Sequence, residues 1–359
     1  MKFTKFIALI VAAATLFAGC EPTPQEGPVS AEAKLSVVKN VLEVNTPIEF
    51  IVEDVDGNDV TAKSVIFDAT NDAYDEVTNP LTITADGKYK FYAVYGDAIS
   101  NYVEVVVTPT VPELPEDAKP ESTEFKHHIL LVDHTGNTCG YCPKMMTALK
   151  EVAETGDYHS KYYEAIAHTY KQTDPASSSA AFAVSGHFSI SDYPTLTYNF
   201  YHTTSSSYNT EHIKSQIDAL WKEYAEVSVA ASTSLATKSV VVNTEIKAAL
   251  TAEYSINAWL LEDGIEAKQT NATAEWMNIH NNAIRNAATT EPLTGYELGT
   301  IEAGKCVEQV LSLDITSAAW NRDNLKVMLI VSKKDNKGKF DVANVAICPL
   351  NQSISYDYK

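Results

Sequence analysis

Cys139 and Cys142 stand at helix-turn spacing in Cys139-Gly140-Tyr141-Cys142. Two thiols so placed can close an intramolecular disulfide or hold half of a zinc ion. No second C-x-x-C follows, and no tight His/Cys cluster completes four zinc ligands, so the spacing favours dithiol chemistry over metal. That chemistry needs a thiolate, and the positive end of a helix dipole beside the first cysteine lowers its pKa. The surrounding residues supply such a setting. The apolar run Ile129-Leu130-Leu131-Val132 reads as a strand ending at Asp133, and a helical pattern starts at Pro143 and runs to about Glu154. Cys139 is then the candidate nucleophile and Cys142 the resolving thiol. His134 and Lys144 are near enough in sequence to stabilise a thiolate, although surface positions are expected for both. His127, His128 and His168 fall around strand ends, and a scattered metal site among them is a weaker reading than none. No cofactor is implied, and no His/Asn pattern suggests a cysteine hydrolase.

The amino terminus sets the compartment. Lys2 and Lys5 precede an apolar stretch from Phe6 to Leu16, followed by Leu16-Phe17-Ala18-Gly19-Cys20. A basic start, a short apolar core and small residues at a cut site describe a signal peptide over 1–19 rather than a membrane span. Cysteine after Ala-Gly resembles a bacterial lipobox, with Cys20 lipidated and 20–30, rich in proline, as a tether. Removing Lys2 and Lys5 takes 27 basic residues to 25 against 47 acidic ones, so the net charge moves from −20 to −22. Such a surface repels nucleic acid. The expected partners are the bilayer, through acylated Cys20, and thiols or disulfides of exported proteins. In an oxidising compartment the remaining Cys306 and Cys348, both at strand ends, are expected to form a structural disulfide, with two separate buried thiols as the alternative because sequence does not supply the distance.

Three folded regions are expected. Residues 31–108 alternate apolar and polar residues in short runs between turns such as Asp56-Gly57 and Asp86-Gly87, which predicts a small β-sandwich. Asp86-Gly87-Lys88-Tyr89-Lys90-Phe91 is similar to the tyrosine-corner region of immunoglobulin-like domains. Pro109, Pro112, Pro115 and Pro120 mark 109–124 as a semi-rigid linker. Residues 125–225 combine strands at 128–133 and 162–168, a turn into a strand at 192–198, and a helix over 211–223. That helix carries Ile213, Ile217, Leu220, Trp221 and Tyr224 as a core stripe. Residues 226–359 read as a second β-sandwich, with strands expected at 240–242, 248–254, 257–261, 307–313, 325–331 and 342–347. Within it, Trp276 to Ala287 could be a binding face containing His280 and Arg285, but an ordinary strand and loop is the preferred reading.

Val132-Asp133, Cys139-Gly140-Tyr141-Cys142 and Tyr193-Pro194-Thr195 together resemble the thioredoxin superfamily over about a hundred residues. The resemblance implies a buried carboxylate at Asp133 that takes a proton from the second cysteine. It also implies a cis-proline at Pro194 that faces the disulfide and presents a bound substrate chain. Pro143 stands where many thioredoxins carry a basic residue, and Thr138 replaces the usual tryptophan. Asp133-His134-Thr135-Gly136-Asn137-Thr138-Cys139-Gly140-Tyr141-Cys142-Pro143 also resembles a Bacteroidetes outer-membrane lipoprotein family, the twenty-eight-kilodalton outer-membrane protein group. That likeness implies a lipid-anchored outer-membrane protein with a thioredoxin-like domain and a carboxy-terminal β domain. The fold expected is therefore multidomain, α/β plus all-β, with the thioredoxin-like domain between an immunoglobulin-like domain and a β-sandwich. Two functional readings remain. One is a thiol–disulfide oxidoreductase or isomerase for extracytoplasmic proteins. The other is a surface binding protein or adhesin whose C-x-x-C is a structural staple.

Overall fold

A computed structural model describes residues 33–70, 74–200, 202–289, 291–316 and 320–359. The leader, Cys20 and the tether lie outside the described residues. The chain is rich in strands, poor in helices, and divides into two compact units, up to Thr108 and from Pro109.

In the first unit Ala33–Val37 pairs antiparallel with Phe50–Asp54, and a larger sheet centres on Gly87–Tyr95 between Val65–Asp68 and Val103–Thr108. Alternate residues point inward, so Leu35, Phe50, Val52, Phe91, Ala93, Val105 and Val107 form the core. The Tyr89 hydroxyl donates to the carbonyl of Ala85 at 2.8 Å, and Phe91 meets Phe50 edge-on at 4.9 Å.

The second unit is built from β1 (Ile129–Thr135), α1 (Cys142–Ala153), β2 (Tyr162–His168), α2 (Ser179–His187), β3 (Thr195–Tyr198), β4 (His202–Ser205) and α3 (Thr210–Leu220). It continues through β5 (Val227–Leu235), β6 (Ser239–Ala248), β7 (Ala252–Glu262), β8 (Ala283–Ala287), β9 (Tyr296–Ile301), β10 (Cys306–Asp314), β11 (Leu325–Lys334) and β12 (Phe340–Pro349). One sheet runs β4-β3-β1-β2-β8-β7-β11-β12, with β9 also on β7. A second sheet joins β10, β6 and β5. Every residue of β1 is buried, as expected for a strand covered on both faces. Ile129 and Leu131 pack on Met145, Leu149 and Val152 of α1 and on Ile213 and Ile217 of α3. Leu130 and Val132 face α2 on the other side.

The expected boundary at 225/226 does not separate two domains. β2 meets β8 in parallel at Ile166 and Ala283, and the Ile166 amide donates to the carbonyl of Asn282 at 2.8 Å. The core beneath α2 joins Leu130, Val132, Ala181 and Val184 to Trp259, Leu261, Ile284, Met328 and Ile330. Without the later residues β2 would be a bare edge and α2 would cover a hole.

Four further expectations need correction. The 109–124 segment is not a free linker. The ammonium of Lys247, only 2% exposed, donates to Asp117 (2.9 Å), the carbonyl of Pro120 (2.7 Å) and the Tyr358 hydroxyl (3.0 Å), because a buried cation must keep its hydrogen bonds. The last helix stops at Leu220, so Trp221 leaves it and donates to the carbonyl of His127, while Tyr224 is exposed rather than core. The run 248–254 is two strand ends and the turn between β6 and β7, not one strand. Cys306 and Cys348 are both free thiols. Cys306 pairs with Lys247 on the outer face of the second sheet and accepts from the Tyr356 hydroxyl at 3.7 Å, whereas Cys348 is buried in the core between the sheets. Opposite faces keep the sulfurs apart. Burial pushes the Cys348 thiol up to about 11, which makes it inert.

Candidate functional site

β1 ends at Thr135, and the chain turns through Gly136 to Gly140 before α1 begins at Cys142. Pro143 suits this start, because the amide it lacks would have no helical partner there. Cys139 and Cys142 are joined by a disulfide of S–S length 2.02 Å. Both are buried, Cys139 at 2% exposure. Asp133 is also buried, on the face of β1 that Ile129 and Leu131 turn towards α1, and its Oδ1 has no hydrogen-bond partner among the described residues. Burial holds its carboxyl well above the usual carboxylate range, and the charge of Glu164 on β2 adds to the effect. Glu164 is itself pushed up to about 7 by burial. The Tyr193–Pro194 peptide bond is cis, and Thr195 pairs with His134, so Pro194 lies where β3 meets the loop end of β1.

His134 does not reach the surface. It lies on the α2 face of β1, with Nδ1 2.7 Å from Ser185 Oγ and Nε2 3.1 Å from Thr197 Oγ1. Burial drops its pKa to about 3, so it is neutral and supplies no charge to a thiolate. Lys144 is exposed on the first turn of α1, with Nζ 5.2 Å from the ring centre of Tyr141 and 5.1 Å from that of Tyr208. His127, His128 and His168 are held separately by Lys222 N, Asp357 and Asp174. Among the described residues no cluster of three or more His, Cys, Asp or Glu is placed to hold a metal. His280 and Arg285 are buried. His280 Nε2 lies 3.0 Å from the carbonyl of Ala267, and Arg285 Nε donates to Glu262 at 2.6 Å. The 276–287 segment therefore presents neither side chain to a ligand.

The turn that bears Cys139 is held from two sides, and neither restraint was anticipated. On one side the Asp174 carboxylate accepts from the Asn137 amide at 2.7 Å and sits 2.9 Å from His168 Nδ1. On the other, the loop between β7 and β8 reaches over. Gln269, 2% exposed, donates through Nε2 to the carbonyls of Cys139 (3.0 Å) and Gly136 (3.4 Å). The Thr270 amide donates to the carbonyl of Asn137 at 2.8 Å, and Asn271 Nδ2 to that of Gly140 at 3.1 Å. A Cβ on Gly140 would stand 3.1 Å from Asn271, so glycine there lets the loop approach closely. The one sequence signal was the length of the β7–β8 connection, since long loops in compact units are usually functional. A groove of about 430 Å³ runs between the first turn of α1 and this loop, and it shares Asn271 and Thr273 with a hollow of about 1180 Å³ lined by the loop itself.

Among the described residues no helix is long and apolar enough to cross a membrane. The model of a family described as "Outer membrane protein Omp28" matches residues 182–351, a stretch that begins in α2 and leaves out the cysteine pair. No curated protein matches the chain. Among solved structures, HBP35 of Porphyromonas gingivalis is similar at 13% identity, over 66% of this chain and 80% of that one, with a TM-score of 0.52. A β-glucosidase from Kluyveromyces marxianus and domains 4–9 of the surface-layer protein SbsC score 0.17 each, too low to carry an argument. The chain thus resembles an outer-membrane protein family over residues 182–351 of its second unit, and over 66% of its length its fold is similar to that of HBP35.

Proposed function

We propose that this protein is a thioredoxin-like thiol–disulfide oxidoreductase for exported proteins, held at the outer membrane by a lipid on Cys20, with an immunoglobulin-like first unit. The observation that carries the redox reading is a disulfide at the start of a helix with a buried carboxyl group on the adjoining strand, whose Oδ1 has no hydrogen-bond partner among the described residues. After reduction, the Cys139 thiolate attacks a substrate disulfide, forming a Cys139–substrate bond and releasing the substrate's other sulfur as a thiolate. Asp133, as carboxylate, accepts the proton of Cys142. The Cys142 thiolate then attacks Cys139 Sγ, restores the intramolecular disulfide and expels the second substrate thiolate. The substrate is reduced by two electrons and the protein oxidised by two. In this reading Pro194, whose preceding peptide bond is cis and which lies at the loop end of β1, aligns the substrate backbone. The Omp28 likeness and the lipobox support the membrane assignment.

Replacing Cys142 by Ala should trap exported proteins on Cys139 as mixed disulfides visible on non-reducing gels, whereas Cys139→Ala should trap none. The burial of Cys139 favours a second reading, a binding protein in which the bond is a staple. A reduction potential below about −300 mV together with an empty Cys142→Ala trap would establish that second reading. Mass spectrometry of membrane-extracted protein should find acyl mass on Cys20, and an unmodified soluble form would remove the anchor.

A further inference from the structure

The groove between α1 and the β7–β8 loop has a chemistry unlike that of the rest of the protein. The chain carries a net charge of −20, yet the lining residues include no acid and one cation, Lys144. The neighbouring hollow is lined by two acids, Glu266 and Glu275, against one cation, Lys268. Lys144 makes no ion pair among the described residues, and its ammonium lies between the rings of Tyr141 and Tyr208. Both rings are exposed, Tyr141 at 64%. Across the groove, Asn271 uses its Nδ2 to hold the carbonyl of Gly140, which leaves Oδ1 as an acceptor. One wall thus offers a cation and the other an amide acceptor, and Gly140, next to Cys139, is part of the rim.

We propose that this groove docks an extended segment of a protein substrate that carries a carboxylate close to its cysteine, with Lys144 as the specificity-determining residue. The carboxylate pairs with Lys144, a backbone amide of the segment donates to Asn271 Oδ1, and the side chains beside the cysteine lie on Tyr141. A small anion would use Lys144 alone, whereas a peptide uses both walls. The proposal rests on the redox reading, since it is the cysteine of the segment that brings it to Cys139. Its sign is distinctive. The field of a protein with net charge −20 repels an acidic peptide and attracts a basic one, so an acidic preference has to come from the groove itself.

The test compares two disulfide-containing peptides that differ by Glu against Lys two residues from the cysteine, using the whole mature protein. The ratio of their exchange rates is measured, so that any change in Cys139 reactivity cancels. Serine versions of both peptides are titrated in parallel for binding alone. Wild type should favour the Glu peptide by about fivefold at low salt, the scale of one partly exposed ion pair, and the preference should fade as salt rises. Lys144→Gln should abolish the preference and Lys144→Glu should reverse it, with the folded state of each variant checked by circular dichroism. A Lys-peptide preference in wild type, or a Glu preference that survives Lys144→Glu, overturns the proposal. If the serine peptides bind with the expected order while neither disulfide exchanges, the groove stands and the redox reading falls. If exchange runs with no preference, the reverse holds.

Discussion

At the scale of single residues, Asp133 has the most testable state. Its carboxyl is protonated in the folded protein at pH values where the unfolded chain has already lost that proton. Between the unfolded pKa, about 3.9, and the raised folded value, the native state binds more protons, so this group makes stability fall as pH rises. Asp133→Asn removes that dependence. The variant should match wild type near pH 3 and become the more stable one towards pH 8, by up to about 1.4 kcal/mol for each pH unit inside that window. Thermal melts across the range give the answer, and a variant no more stable than wild type at pH 8 would mean that the fold does not raise the Asp133 carboxyl above its unfolded value. The same substitution should slow release of the mixed disulfide while sparing the first attack by Cys139. The sequence put Asp133 at a strand end before the cysteines, and its burial was what the thioredoxin resemblance implied; the strand that carries it is covered on both faces, so the side chain is buried. His134, the next residue, was misplaced because alternation along a strand covered on both faces buries a polar side chain as readily as an apolar one.

At the scale of elements, the β7–β8 loop matters most for the site. Gln269 is some 130 positions from the carbonyls it satisfies, so no local pattern could reveal it. Removing its amide by Gln269→Ala leaves two buried carbonyls without that donor, which should cost about 1–3 kcal/mol in urea denaturation. In the reduced variant, alkylation of Cys139 should be faster than in wild type, because the turn is freed on that side. An unchanged alkylation rate would show that the loop does not restrain access. The elements read correctly from sequence are those whose signals are contiguous. Tyr162–His168 is one, and α1, opened by Pro143, is another. α2 was not anticipated. Its Ser179-Ala180-Ala181-Phe182-Ala183-Val184-Ser185-Gly186-His187 has apolar residues on all sides, and only the N-cap Ser178, which accepts from the Ala181 amide, marks its start.

At the scale of the molecule, the sequence's apparent change of character near residue 225, from mixed to all-β, does not mark a boundary in space. A composition shift reports which elements follow in sequence; pairing between β2 and β8 is decided by which edges remain uncovered. A fragment comprising 125–225 should therefore fail to give a cooperative melt, whereas 109–359 should unfold in one transition. A separate, sharp transition from the short fragment would mean that the β2–β8 seam is dispensable.

That seam also orders events in time. Domains generally fold in sequence as the chain is made, amino-terminal parts first. Here β2 leaves the ribosome, or a translocation pore, long before β8, β7 and β11, which complete its sheet and fill the space under α2. Through that interval the newborn second unit has an open strand edge and an unfinished apolar face, both apt to pair with other chains. The cysteines meanwhile are already synthesised and neighbours in sequence, so they can oxidise before Gln269 and Asn271 arrive to close over the turn. In this protein the two cysteines are made well before the loop that shelters them, so the pair is free to close in the open turn.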